Sequence, residues 1–135
     1  MDRMLFRAMT PDVDGLPAVG RSARALGIRV PRDIAPTADG FVEPGSGGLS
    51  VAPASMWNLP HHRRPRGLGR GSTGPATDRV YFVREAALEA CAFSVRPDPR
   101  APTIHAFVEP AWRMLLAQYE VSLMRTRPSL AQVWP

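Results

Sequence analysis

Arg7, Ser50, His105 and the carboxylates Glu43 and Glu109 are the side chains of this sequence whose types and surroundings suit chemistry. A guanidinium keeps its proton and pairs bidentately with phosphate or carboxylate. An imidazole titrates near neutral pH and can move a proton. These residues are organised around Asp39 to Ser50, which reads DGFVEPGSGGLS. Phe41 and Val42 make a short extended piece, then Pro44, Gly45, Gly47 and Gly48 force a turn. Leu49, Ser50 and Val51 alternate as a half-buried strand does. Such a turn exposes backbone N–H groups and lets a carboxamide or phosphate approach without a Cβ in the way. An ordinary Gly-rich hairpin loop accounts for the same residues, and both readings stand at this level. Ser50 does not have glycines two residues away on both sides, which argues against a serine hydrolase elbow.

The chain that positions these groups has 135 residues, one domain (1–135) with room for a hydrophobic core. Fifteen prolines and eleven glycines imply short strands and long ordered loops instead of a helical bundle. All 17 basic residues are arginine, and the net charge of +5 suits an anionic ligand, a nucleic acid or an acidic protein. Cys91 is the only cysteine, which excludes an intramolecular disulfide and a cysteine zinc site. His61 and His62 have no carboxylate or third ligand at helical spacing, so no metal is expected. No apolar run reaches 18 residues and no secretory signal precedes the first strand, so a cytoplasmic protein with no membrane partner is expected.

Along the chain, Leu5 to Met9 reads as a first strand with Leu5 and Arg7 on one face and Phe6 and Ala8 on the other. Arg7 in so apolar a piece needs a partner for its charge. Two settings are open: an edge arginine reaching solvent, or an anion clamp at a pocket floor. Residues 10–37 contain Pro11, Pro17, Pro31 and Pro36, which leave space only for a short helix near Arg21 to Leu26 in an otherwise irregular excursion. Val51 to Arg79 is a long loop carrying Trp57 and the basic arm PHHRRPRGLGRG, whose run Pro60 to Arg66 reads either as a solvated face or as a phosphate-binding arm for nucleic acid or for the pyrophosphate of a dinucleotide. GLGRGSTG lacks the strand before and helix after that a dinucleotide fingerprint requires. Val80 to Val83 is a buried strand, Glu85 to Ala90 a helical turn, and Cys91 to Val95 and Thr103 to Val108 further strands. Glu109 and Pro110 resemble a helix start. Trp112, Leu115, Leu116, Tyr119 and Leu123 follow i, i+3, i+4, i+7 and i+11, predicting an amphipathic helix from Ala111 to about Met124. The tail after Thr126 is expected to add no more than a cap, with Trp134 folding back on the core. The sum is an α+β fold on a small mixed or antiparallel sheet with a C-terminal amphipathic helix.

LFRAM, DGFVEPGSGGLSV and IHAFVEPAWRMLLAQY resemble, in the same order, blocks of a family of small bacterial effector toxins. These act in the cytoplasm after type VI secretion and are similar to ADP-ribosyltransferases. The resemblance implies a split-sheet fold of ADP-ribosyltransferase type that binds NAD. It implies that Arg7 contacts the phosphate or ribose of NAD, and that Gly47, Gly48 and Leu49 offer main-chain groups to the nicotinamide carboxamide. Ser50 would line that pocket, with His105 across the cleft. Leu49 stands where related toxins carry a second hydroxyl. A catalytic glutamate, common among ADP-ribosyltransferases, falls on Glu109 by its place at a strand end. A toxin of this kind implies a cognate immunity or antitoxin protein and a macromolecular acceptor.

Two functions follow. One is an NAD-dependent ADP-ribosyltransferase-like toxin, or an NAD glycohydrolase, with Ser50, His105 and Glu109 catalytic. The other is an RNA-binding or nuclease-like toxin using residues 60–70 and Trp57.

Overall fold

A computed structural model describes residues 2–134, the side chain of Trp134 excepted. In chain order the strands are β1 (Met4–Met9), β2 (Phe41–Val42), β3 (Leu49–Pro53), β4 (Arg79–Arg84), β5 (Phe93–Pro97), β6 (Ala106–Pro110), β7 (Met114–Leu115) and β8 (Ala131–Trp134). Helix α1 (Glu85–Glu89) follows β4, and α2 (Leu116–Arg125) follows β7. Six strands form one sheet in the order β5-β6-β3-β1-β4-β8, and β2 pairs with β7 apart from it. Every pairing between these strands is antiparallel. The protein is therefore α+β, with a mostly antiparallel sheet and few helices. None of the described helices is long and apolar enough to cross a membrane.

The period-2 pattern of β1 divides the core. Leu5 and Met9 join Leu49, Val51 and Val108 on the face covered by Tyr119 and Leu123 of α2 and Leu88 of α1. Phe6, Ala8, Ala52 and Val80 form a second cluster on the opposite face, closed by Leu59 of the long loop. The loop of residues 54–78, shorter at both ends than the Val51 to Arg79 expected because β3 runs to Pro53 and β4 starts at Arg79, is thus a covering layer for one face, as α2 is for the other. Tyr119 ties α2 to the seam of β3 and β6. Its hydroxyl accepts from the Leu49 N–H at 3.0 Å and donates to the Val108 carbonyl. Burial pushes this phenol's pKa well above its ordinary value, so it stays a donor at all physiological pH.

Several expectations from the sequence need correction. The helix begins at Leu116, not Ala111, because Met114 and Leu115 pair with Val42 and Phe41 instead of continuing a helix. Met114 turns inward there, while Trp112 is 60% exposed and Leu115 is exposed as well. Their helical spacing is coincidental. Glu109 and Pro110 close β6 and do not start a helix. Residues 102–104 form a turn, so the strand expected from Thr103 begins at Ala106. No helix forms at Arg21 to Leu26. The tail makes more than a cap: β8 adds an edge strand on β4. The Trp134 side chain, expected to cover the core, lies outside the described residues.

Candidate functional site

The site begins where the sheet is incompletely paired. β1 matches β4 at all six positions, yet it matches β3 at only Leu5 with Pro53 and Phe6 with Ala52. Beyond Phe6 the buried Arg7 side chain bridges the interval. Its Nη1 donates to the Ser50 carbonyl at 2.9 Å, Nε and Nη2 donate to the Ala25 carbonyl, and Nη2 also reaches Ala23 and Ser22 carbonyls at 3.2 and 3.4 Å. Arg7 thus pins the irregular excursion to β1 and β3. Burial lowers its pKa to about 10, which leaves it charged at neutral pH. Its charge is answered chiefly by carbonyl oxygens, with Asp33 the nearby carboxylate acting on it. Of the two settings open from sequence, the solvent-reaching edge is not found: Arg7 is buried and lines a cleft, with most of its donors engaged by carbonyls instead of an anion.

Above this wedge lies a cleft of about 250 Å³. Arg7, Ser50 and His105 all line it, so three of the residues expected at a site do converge. The Ser50 hydroxyl has no hydrogen-bond partner among the described residues. His105 is half-buried, stacked edge-on against Phe107 with ring centres 4.8 Å apart. Its Nδ1 lies 2.7 Å from Oδ2 of the buried Asp98. That contact, the Arg100 backbone N–H and the Arg100 side chain hold the Asp98 carboxyl down from its ordinary 3.8 to about 2. An ionised carboxylate only accepts, so Nδ1 carries the proton and the neutral ring has its lone pair on Nε2. Asp98 is outside the cleft that His105 lines. The arrangement suits a base or acceptor whose orientation is set from behind.

The depressed carboxyl has a signed consequence. Asp98 is charged above pH 3.8 in the unfolded chain and stays charged to about pH 2 in the folded one. Its contribution to stability is complete above the first value and is lost as pH falls through the second. Thermal midpoints of the native chain and Asp98→Asn are expected to differ most near neutrality and to converge between pH 4 and pH 2. A gap independent of pH over that window would show that the charge is not what matters.

The glycine turn serves the fold more than a ligand. The N–H of Gly45 donates to Glu109 Oε2 at 3.0 Å, Ser46 to the Glu43 carbonyl, Gly48 to the Asp33 carbonyl, and Leu49 to Tyr119. The expectation of exposed amides is therefore corrected at Gly45, Ser46, Gly48 and Leu49, all of whose N–H groups have protein acceptors. Gly47 faces Ile34 across an isolated bridge with φ of +107°. None of Gly47, Gly48 and Leu49 lines the cleft. Glu109 is buried outside it too, in a separate groove that also holds Gly47 and Arg96, with its Oε2 3.9 Å from Arg96. Glu43 lies exposed at the turn, 4.0 Å from Arg113. The structure does not bring either carboxylate to Ser50 and His105.

The basic arm is folded. Arg64 is buried and donates to Ser72 Oγ, the Trp57 carbonyl and the Arg70 carbonyl. The guanidinium groups of Arg64 and Arg70 lie 5.3 and 4.3 Å from the Trp57 ring centre. Trp57, which an RNA-stacking surface would need exposed, is half-buried as the hub of this loop. Its neighbour Leu59 caps the second core cluster. The arm then delivers Pro60, His62 and Arg63 to the cleft rim.

Sequence reasoning missed Asp98 and the pair of Arg29 with Asp33 as members of this region, and it marked Arg63 only as one of the basic run Pro60 to Arg66. Arg29 and Asp33 at i and i+4 form a bidentate pair with contacts of 3.0 and 2.9 Å, and their spacing was a usable signal. Nothing in HHRRPR separates the structural Arg64 from Arg63, and nothing in the seven-residue interval joins Asp98 to His105. In comparisons with known proteins, no family model, no curated protein and no solved structure matches this chain.

Proposed function

We propose that this protein is an NAD-dependent ADP-ribosyltransferase-like toxin that acts in a bacterial cytoplasm and is neutralised by a cognate immunity protein. The observation that carries the proposal is the convergence of Ser50 and His105 on one cleft whose floor is a buried arginine. The cleft's mixed lining fits the substrate class. Val51, Ala52 and Leu59 supply apolar wall, and charged side chains stand at the rim. In this reading the Ser50 hydroxyl donates or accepts at the substrate's polar edge. His105 Nε2 takes the proton of the attacking acceptor hydroxyl or water, and Asp98 stabilises the imidazolium that results. NAD, as the substrate, brings the nicotinamide leaving group, and the oxygen of the acceptor or of water bonds to the ribose carbon as the bond from that carbon to nicotinamide breaks. Glu109 has no part in this chemistry where it stands, behind Gly45. An acidic immunity protein complements a chain of net charge +5.

Tightly induced expression in bacteria, with intracellular NAD measured, tests this. The native chain is expected to arrest growth, and Ser50→Ala and His105→Ala, checked for solubility, are expected to lose activity by about 100-fold or more. A fall in NAD points to glycohydrolase or vigorous transfer. If both soluble variants stay toxic and only Arg66→Gln with Arg70→Gln abolishes toxicity, the protein works through its arm on RNA, and the cleft reading fails.

A further inference from the structure

Among the described residues lining the cleft, Arg63 is the one whose charge the fold leaves unanswered. Its half-buried guanidinium has no hydrogen bond or ion pair among the described residues, unlike Arg7, engaged by carbonyls, and Arg29, engaged by Asp33. Burial and the nearby Arg29 both disfavour its charge, with Asp33 and Asp78 opposing more weakly. A cation kept in such a place without a partner is a cost to the fold. Arg7, Arg29, Arg63 and Asp33 share the cleft lining, three cations to one carboxylate, with His62 beside them. The carboxylate is already held bidentately by Arg29.

We infer that Arg63, with Arg29 and His62, forms a site for the phosphate groups of a diphosphate ligand on the arm side of the cleft. An anion there completes the Arg63 donors and relieves its repulsion by Arg29. The cleft's volume of about 250 Å³ suits a small diphosphate, whereas a polymer backbone would meet the exposed Arg66 and Arg70 first. The site gives the arm a direct part in ligand binding. The choice of a diphosphate rests on the NAD reading, whereas the anion site rests on the arginine placement.

Calorimetric titration of the full chain with inorganic pyrophosphate at low salt tests the site, using native protein, Arg63→Gln and Arg66→Gln. The expected result is one bound pyrophosphate, weakened about tenfold or more in Arg63→Gln and little changed in Arg66→Gln. Arg63→Gln should melt at or above the native midpoint, because Arg63 makes no internal bond and its unpartnered charge is removed, and the exposed Arg66→Gln should melt like the native chain. No binding up to about 10 mM, or equal weakening in both variants, overturns the site. Tighter binding of a short oligouridylate that falls equally in both variants also overturns it, in favour of an RNA surface. Pyrophosphate held through Arg63 by a chain that never consumes NAD leaves the site standing and removes the NAD reading. NAD turnover with an unchanged KM in Arg63→Gln has the reverse meaning.

Discussion

Replacing Arg7 with leucine is expected to lower folding stability by about 3–5 kcal/mol, the range for removing one partner of a buried charged network. The Ser50 carbonyl of β3 and the Ala25 and Ala23 carbonyls of the excursion lose their guanidinium donor together. Each buried acceptor left unmet costs on the order of 1–3 kcal/mol. Against a typical total of about 5–15 kcal/mol, the variant should be partly unfolded near body temperature. Arg7→Lys should recover little, since a single ammonium cannot span β3 and residues 22–25 with the same fan of bonds. Denaturant titration beside Ser50→Ala checks this. Ser50→Ala should stay within about 0.5 kcal/mol of native, because its hydroxyl has no internal partner. Loss of toxicity in an Arg7 variant therefore reports folding, and a variant that melts like the native chain would return Arg7 to the ligand.

Gly48→Ala is expected to be at least as damaging, by about 3 kcal/mol or more. A Cβ at position 48 would lie 2.2 Å from the Val108 carbonyl oxygen and 2.7 Å from its carbon, both in the backbone of the adjoining β6. No rotamer change relieves a clash with backbone, so β3 and β6 must separate. That loosens the pairing of Leu49 with Val108 and of Ser50 with Phe107. The Tyr119 bonds to Leu49 and Val108 span this same seam. Soluble yield and thermal midpoint measure the effect. An alanine variant that folds with native stability would show that the turn has slack, and the reading of this glycine as a ligand cradle would regain its place.

Local patterning made much of the fold legible. β1, the inward and outward assignment of Leu5, Phe6 and Ala8, the buried β4 and the turn at Glu85 all follow from alternation and propensity within a few residues. The sequence also marked Ser50 and His105, by residue type and by the glycines and strand beside them, and these two do meet at one cleft. Its errors arose where a competing long-range pairing won. Trp112 and Leu115 had the helical period, but strand pairing to Phe41 and Val42 drew Met114 inward and delayed the helix to Leu116.

What the sequence determined by itself is the class of fold, since alternation and the proline and glycine spacing are local and need no partner. Tertiary structure alone decided which groups share the site. It carried Arg63 to the cleft and closed Arg64 into the loop, although they are adjacent in the chain. It brought Asp98 behind His105 and withdrew Glu109 to another groove. A charged side chain's role depends on whether a carbonyl, a carboxylate or open space faces it, and those neighbours come from distant segments. Gly48 shows the same dependence: its lack of a Cβ is readable at once, whereas the Val108 carbonyl that requires it lies sixty residues on.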